Sequence, residues 1–102
     1  MQKKPLKHSN LLDKVRACLQ SGNYLDTHHS SARRRQRKID RLDIQYVLTT
    51  GWHEKNKDKF DSKYKAWNYS VRGRTIDLRS LRIVVSFDNQ RMIIVTAMEL
   101  YE

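Results

Sequence analysis

The sequence predicts an α+β domain in which N-terminal helices pack on one face of an antiparallel β-sheet. Two observations support this fold class. Apolar residues in the first half of the chain recur at helical spacing, whereas those in the last third alternate with polar residues as they do in strands. A chain of 102 residues is expected to form one domain around one core, with a helical part at 9–50 and a sheet at 52–100.

Three helices are predicted in the helical part. The first covers LLDKVRACLQ after a cap at Ser9 or Asn10, and it stops at Gly22. Its apolar stripe, in which the single cysteine is expected to be an inert core residue, consists of Leu11, Leu12, Val15, Cys18 and Leu19. The second helix is the basic stretch THHSSARRRQRKIDR at 27–41.

The third helix covers RLDIQYVLTT, with Asp40 and Asp43 as a capping pair and Gly51 at its end. Its apolar residues are expected to be Leu42, Ile44, Val47 and Leu48.

Strands are predicted from Trp52 onward. WHEK is a short strand, and KNKDKFDSKYK is expected to be a lysine-rich loop. Three longer strands follow, with Gly73 and 77–80 as places to bend and 88–90 as a turn. In the second of these strands, one face is expected to consist of Leu81, Ile83, Val85 and Phe87. In the third, one face is expected to consist of Ile93, Val95 and Ala97 and the other of Met92, Ile94 and Thr96.

The charge balance predicts a polyanionic partner. Lys and Arg number 21 against 11 Asp and Glu, which gives a net charge of +10, and residues 1–75 carry eighteen of the basic side chains. Nucleic acid, an anionic membrane and an acidic protein are the candidate partners. One cysteine cannot form an internal disulfide, and no apolar run reaches the roughly 18 residues that span a bilayer. A cytoplasmic protein without a membrane segment or export signal is expected.

The basic stretch is the first candidate for chemistry. In a helix, His29, Arg33 and Arg37 fall at i, i+4 and i+8, so they share one face, while Ala32 and Ile39 provide a small apolar edge. An imidazole beside two guanidiniums could serve as an acid or base next to a phosphate. The alternative is a solvated basic helix.

Other residues could line the opposite wall of a cleft or simply occupy the wet face of a sheet: Lys65, Tyr69, Arg72, Arg74 and Arg82. His28 and His53 are expected to be surface histidines. Among the aromatic residues that could stack on bases, Trp67 is expected in the core, while Trp52, Phe60 and Tyr64 stay open as stacking candidates.

The chain has no glycine-rich phosphate loop, no GxSxG, no HExxH and no cluster of carboxylates, so no metal and no cofactor are expected. RNA cleavage without a metal needs a base for the 2′-hydroxyl, cations for the phosphorane and an acid for the leaving oxygen. His, Arg, Lys and Tyr can meet these needs.

Several motifs resemble a bacterial domain-of-unknown-function family that is grouped with RelE/ParE-like and BrnT-like toxins. They are H-x3-R-x3-R-x-I from His29, Y-x-V-x-G-R from Tyr69, LRIVV from Leu81 and IVTA ending at Ala97. The segment HSNLLDKVRACLQSGNY, Y-x2-W at 64–67 and the LRIVVSF and MIIVTAM strands are also similar to MqsR-type mRNA-cleaving toxins.

The resemblance implies a curved antiparallel sheet, ribonuclease activity and a cognate antitoxin as partner. It marks as site residues His29, Arg33, Arg37, Arg74, Arg82 and Thr96, with Lys65 and Tyr69 nearby. The KNKDKFDSK insertion and the doubled His28-His29 depart from the pattern and leave open which imidazole acts.

The first functional hypothesis is therefore a metal-independent endoribonuclease, the toxin of a toxin-antitoxin pair. In it His29 is the acid or base, and Arg33, Arg37 and Arg74 hold the phosphate. RNA on either side is held by Lys55, Lys57, Lys59, Lys63, Tyr64, Lys65, Tyr69, Arg72, Arg82 and Thr96. The alternatives are a non-catalytic nucleic-acid-binding module and a protein-interaction domain that docks an acidic partner.

Overall fold

The structure of the protein, a computed structural model, describes residues 4–27 and 39–101. Within these ranges two α-helices pack against one face of an open, mixed six-stranded sheet, which confirms the predicted α+β class. The helices are α1 (Leu11–Ser21) and α2 (Arg41–Thr50). The strands are β1 (Tyr24–Asp26), β2 (Trp52–His53), β3 (Lys59–Asp61), β4 (Ala66–Arg74), β5 (Ser80–Phe87) and β6 (Met92–Leu100).

The helix boundaries follow the sequence signals. α1 ends at Gly22, whose φ of 75° lies in the left-handed region that favours glycine. α2 begins with a reciprocal capping box, in which the Asp43 N–H donates to Asp40 Oδ1 at 2.9 Å and the Asp40 N–H to Asp43 Oδ2 at 3.2 Å. The first and third predicted helices, which lie within the described residues, are confirmed.

The exposure of Leu42 in α2 differs from the prediction. It was expected among the apolar residues of the helix, but its side chain is 72% exposed. Ile44, Val47 and Leu48 face the sheet, and Leu42 lies on the opposite side of the helix from them. Of the predicted basic helix, 28–38 lie outside the described residues, whereas Ile39 is buried in the core.

The sheet has the strand order β1-β6-β5-β4-β2, and β3 pairs with β4 beside β2. The predicted antiparallel meander of β4, β5 and β6 is confirmed. The purely antiparallel prediction is wrong at one edge, because β1 pairs with β6 in parallel. A three-residue strand has too few positions to show an alternating pattern, so YLD gave no strand signal.

The lysine-rich segment is more ordered than predicted. A 3₁₀ turn spans Lys55–Lys57, β3 pairs with β4 antiparallel, and a tight turn at 62–65 joins the two strands. The ring centroids of Phe60 and Trp67 lie 5.4 Å apart across this pair. Partners on β4 therefore give strand structure to a segment whose composition is typical of a loop.

Two predictions about faces and bends are also corrected. Val84 pairs with Thr96 but Val85 pairs with Ile94, so Val95 is an extra residue in a β-bulge. The bulge shifts the alternation of side chains between the two faces of the sheet. As a result, Met92, Ile94 and Ala97 are buried together, and the predicted face of Ile93, Val95 and Ala97 is wrong. Gly73 makes no bend and lies within β4, where an added Cβ would be 3.0 Å from the Gly51 Cα.

The core lies between the helices and one sheet face, which we call the helix face. It contains Leu11, Val15, Ile39, Ile44, Val47, Leu48, Tyr69, Val71, Leu81, Ile83, Val85, Met92, Ile94 and Ala97. Cys18 packs partly buried against this core, as predicted. The opposite side of β4 and β5, which we call the open face, presents Asn68, Ser70, Arg72, Arg82, Val84 and Ser86. No helix in the described part of the chain is long and apolar enough to cross a membrane.

Candidate functional site

The open face carries a concavity of about 450 Å³, which we call the basic groove. The 3₁₀ turn and β3 form one side of it, and β4, β5 and β6 form its floor. Its lining residues are Asn56, Lys57, Lys59, Asn68, Ser70, Arg82, Val84 and Met98. Three cations therefore surround one concavity whose other polar groups are amides and a hydroxyl.

The two lysines of the basic groove are available to a ligand. Lys57 and Lys59 are exposed, and neither forms an ion pair with any residue in 4–27 or 39–101. The Ser70 hydroxyl donates to the Lys57 carbonyl oxygen at 3.3 Å, which links the 3₁₀ turn to the floor. The lysine ammonium groups keep their full charge for an anion in the groove.

Glu54 organises two arginines at the edge of the groove. Arg72 and Arg82 are direct partners on β4 and β5, where two like charges would repel each other. The Glu54 carboxylate accepts from Arg82 Nε at 2.8 Å and from Arg72 Nη1 at 3.2 Å. The hydrogen bond from Arg82, with help from Arg72, holds the pKa of Glu54 below its ordinary value even though burial opposes the charged form.

A buried carboxylate beneath the groove holds the lysine-bearing segment in place. The Asp58 side chain is 1% exposed and its Oδ1 accepts the Ser70 backbone N–H at 3.0 Å. Its Oδ2 lies 2.7 Å from His53 Nε2 and 2.6 Å from Lys7 Nζ. His53 was predicted to be a surface histidine, and this is wrong, because its side chain is only 9% exposed and is paired with Asp58.

The N-terminal segment completes this support, which no pattern in the sequence predicts. Trp67 Nε1–H donates to the Pro5 carbonyl oxygen at 2.8 Å, and the His8 backbone N–H donates to the Tyr69 hydroxyl oxygen at 3.0 Å. Burial and the nearby charge of Lys14 lower the pKa of His8. These contacts place 4–8 beside the β3 and β4 pair.

A second concavity of about 530 Å³, which we call the apolar groove, lies on the same face. It meets the basic groove at Asn68, which lines both. Much of its wall is apolar or aromatic, and this part is formed by Tyr64, Ala66, Ile93 and Val95. Phe87 also borders it, but its ring packs with those of His8 and Tyr69 on the helix face. Lys65 contributes a cation and Asp61 and Asp88 contribute carboxylates.

The structure brings together five of the predicted site residues. Lys57, Lys59 and Arg82 line the basic groove, whereas Tyr64 and Lys65 line the apolar groove. The convergence of these groups on one face had no signal in the sequence, because it depends on the pairing of β3 with β4.

The other predicted residues lie elsewhere. Tyr69 is 3% exposed among the core residues of the helix face. Arg74 is exposed at the end of β4, and Thr96 pairs with Val84 on the open face outside both grooves. Lys55 and Lys63 are exposed. The four residues His28, His29, Arg33 and Arg37 lie outside the described residues.

The aromatic candidates divide into two groups. Trp67 packs partly buried against the core, as predicted, and it contacts Phe60. Trp52 and Tyr64 are 54% and 72% exposed. Only Tyr64 of these two lines a groove. Among the described residues, no three His, Cys, Asp or Glu side chains come together in a way that could hold a metal ion.

The fold and these grooves define a small α+β protein with a cationic concavity on the open face of its sheet. Residues 26–99 match the family described as Domain of unknown function (DUF4258), and the chain belongs to this family. Neither the curated proteins nor the solved structures contain a significant match to the chain.

Proposed function

We propose that this protein is a metal-independent endoribonuclease that binds single-stranded RNA in the basic groove. The observation that supports the proposal is the convergence of Lys57, Lys59 and Arg82 around one concavity. Ammonium and guanidinium groups are the side chains that most often bind phosphate oxygens. The Asn68 amide, which lines the same groove, can donate to a sugar or a phosphate oxygen.

The two lysines supply positive charge that binds the RNA on either side of the scissile phosphate. Stabilisation of the negative charge that builds on the phosphorane oxygens as the 2′-hydroxyl attacks is assigned to the arginines named below, because cations placed there stabilise it more than they stabilise the ground state. Lys57 and Lys59 have no carboxylate partner among the described residues, so their charge is not already neutralised. Arg82 shares Glu54 with Arg72, which leaves one net positive charge on that cluster.

Proton transfer is assigned to His29 in this proposal, and Arg33, Arg37 and Arg74 hold the scissile phosphate. A base removes the proton of the 2′-hydroxyl, an acid protonates the leaving 5′-oxygen, and a 2′,3′-cyclic phosphate results. A well-placed acid or base contributes about 10²- to 10⁴-fold in rate. Lys55 and Lys63, both exposed, bind the flanking strand.

The proposal extends to a biological class. The resemblance to RelE/ParE-like, BrnT-like and MqsR-like toxins suggests a cytoplasmic toxin that an antitoxin restrains. An acidic antitoxin segment lying in the basic groove would block RNA through the same lysines. Growth arrest on expression of the chain, relieved by the product of a neighbouring gene, tests this extension.

The central experiment measures RNA cleavage by the purified protein in EDTA. We expect the wild type to produce 2′,3′-cyclic phosphate ends. The variant His29→Ala with Arg37→Ala should lose cleavage by at least 10²-fold while it keeps its fold by circular dichroism. Full activity in this double variant would contradict the assignment of the acid or base.

A second comparison tests the basic groove itself. Lys57→Ala with Lys59→Ala removes two exposed ammonium groups that make no ion pair among the described residues, so the fold should persist. We expect cleavage and RNA binding both to fall by at least tenfold. The matched control is Arg41→Ala, which removes an exposed cation from the first turn of α2 on the other side of the sheet.

The outcomes also separate the alternatives. RNA that shifts on a gel but stays intact would support the non-catalytic RNA-binding module, which uses the same groove. Tight binding of an acidic partner protein without RNA binding would support the protein-interaction domain.

A further inference from the structure

The apolar groove has a surface that suits a nucleobase better than a phosphate. Ile93 and Val95 form part of its floor, and Val95 remains 39% exposed because the β-bulge in β6 leaves it on the surface. Tyr64 stands at the groove with 72% of its side chain exposed. Apolar floors and aromatic rings bind unstacked bases, whereas a charged phosphate gains nothing from them.

The apolar groove also contains two carboxylates, Asp61 and Asp88, whereas no carboxylate of a described residue lines the basic groove. Asp61 Oδ1 accepts the backbone N–H groups of Lys63 and Tyr64 at 2.9 and 3.2 Å, so the turn holds this side chain in one orientation. Asp61 Oδ2 makes no hydrogen bond within residues 4–27 and 39–101 and stays available as an acceptor. Asp88 Oδ1 is held in the same way by the N–H groups of Gln90 and Arg91, both at 2.8 Å.

The two grooves are joined at Asn68. Its side chain lines both concavities and donates no hydrogen bond to another described residue. A strand whose phosphate lies between Lys57 and Lys59 would therefore bring the adjoining nucleotide to the apolar groove. With a volume of about 530 Å³, the groove lies in the size range of small-molecule sites.

We propose that the apolar groove is a nucleobase subsite for the nucleotide next to the bound phosphate, and that it favours guanine. The proposal rests on the proposed function, because it needs RNA in the basic groove. A carboxylate accepts hydrogen bonds and donates none. Guanine presents N1–H and the N2 amino group side by side, and both can donate to the open Oδ2 atom of Asp61. Uracil offers a single N–H between two carbonyl oxygens that a carboxylate repels.

The experiment measures the binding of 2′-O-methyl RNA pentamers, which the proposed reaction cannot cleave, by fluorescence polarisation in EDTA. The pentamers are UUGUU, UUUUU and a pentamer of uridines whose central nucleotide is abasic. We expect the wild type to bind UUGUU at least tenfold more tightly than UUUUU, and the abasic pentamer most weakly.

Three variants test the residues named. Asp61→Asn keeps the Oδ1 acceptor that holds the turn but replaces Oδ2 with a donor, so the preference for guanine should fall to about one. Tyr64→Ala should lower the ratio between UUUUU and the abasic pentamer. Asp13→Asn is the control, since Asp13 is an exposed carboxylate in the first turn of α1, and it should leave both ratios unchanged.

The results distinguish a failure of the subsite from a failure of the proposed function. If binding is lost with Lys57→Ala and Lys59→Ala, yet the three pentamers bind equally to the wild type, the subsite is overturned and the basic groove is retained. If no pentamer binds the wild type, or binding does not depend on the two lysines, both proposals are overturned. A preference for uracil would also overturn the subsite as stated.

Discussion

Asp58 is the single residue that most strongly fixes the shape of the basic groove. It connects a backbone N–H of β4, the imidazole of His53 and the ammonium of Lys7, although its own side chain is 1% exposed. A buried carboxylate is stable only when such partners replace water. Lys57 and Lys59 flank it in sequence, so its bonds determine where both lysines stand.

Asp58→Asn should therefore destabilise the fold. The amide oxygen can still accept the Ser70 N–H, but the negative charge that pairs with His53 and Lys7 is lost. We expect a loss of about 2–4 kcal/mol in the free energy of unfolding, measured by urea denaturation. Lys7→Met is the control, and because Lys7 is 34% exposed it should cost only about 1 kcal/mol. Equal losses would contradict a central role for the carboxylate.

The stability that Glu54 contributes should depend on pH. Its pKa in the folded protein lies below the ordinary value of 4.5, so its contribution is complete above the unfolded pKa and is lost as the pH falls through the folded pKa. Glu54→Gln should cost about 1–2 kcal/mol at pH 7, and the difference from wild type should shrink as the pH falls below 4.5 and vanish below the folded pKa. Urea denaturation at several pH values measures it. A difference that stays constant with pH would contradict this explanation.

At the scale of elements, the close approach of α2 to β4 sets the position of the helix layer. The end of α2 meets β4 where Gly51 and Gly73 face each other. A Cβ on Gly51 would lie 2.4 Å from the Arg72 carbonyl oxygen and 2.6 Å from the Val47 carbonyl oxygen. Both obstacles are backbone atoms, which cannot move aside as a flexible side chain can.

Gly51→Ala should consequently push α2 away from the sheet. We expect a loss of about 2–3 kcal/mol in unfolding free energy, in the range of overpacked cores, measured by urea denaturation. Gly22→Asn serves as the comparison, because Gly22 has open space around its Cα and a left-handed φ of 75° that asparagine tolerates. Its cost should stay below that of Gly51→Ala, and the reverse order would contradict the steric argument.

At the scale of the whole molecule, the net charge of +10 makes RNA binding sensitive to salt. Each phosphate contacted by a cation releases condensed counterions, and for single strands it contributes about 0.7 to the slope of log K against log salt. Removing Lys57 and Lys59 together should lower this slope by about 1.4, whereas Arg41→Ala should leave it unchanged. Titrations of a uridine oligonucleotide at four salt concentrations give the slopes. An unchanged slope in the double variant would place the contacts outside the basic groove.

The two described helices, the three long strands and the excess of positive charge could all be predicted from the sequence. Each helix or strand has a signal within a short window: an apolar stripe and the Gly22 stop for α1, the Asp40 and Asp43 pair for α2, and alternation for β5. The predicted side-chain cap of α1 is wrong, because Asn10 at its N-cap position makes no capping hydrogen bond. The sequence also named Lys57, Lys59 and Arg82 as residues for an anionic ligand, since charge is a property of composition.

How these helices and strands pair and pack depends on the tertiary structure. The parallel pairing of β1 depends on a partner 68 residues away in the chain, from Tyr24 to Met92. The bulge at Val95 and the placement of β3 depend on the strands that pair with them, β5 and β4. The bond between Lys7 and Asp58 joins positions 51 residues apart, and the ring of His53, an expected surface histidine, lies 5.8 Å from that of Tyr69. No local periodicity encodes such contacts, because they form only when distant segments meet across the sheet, and both grooves exist for that reason.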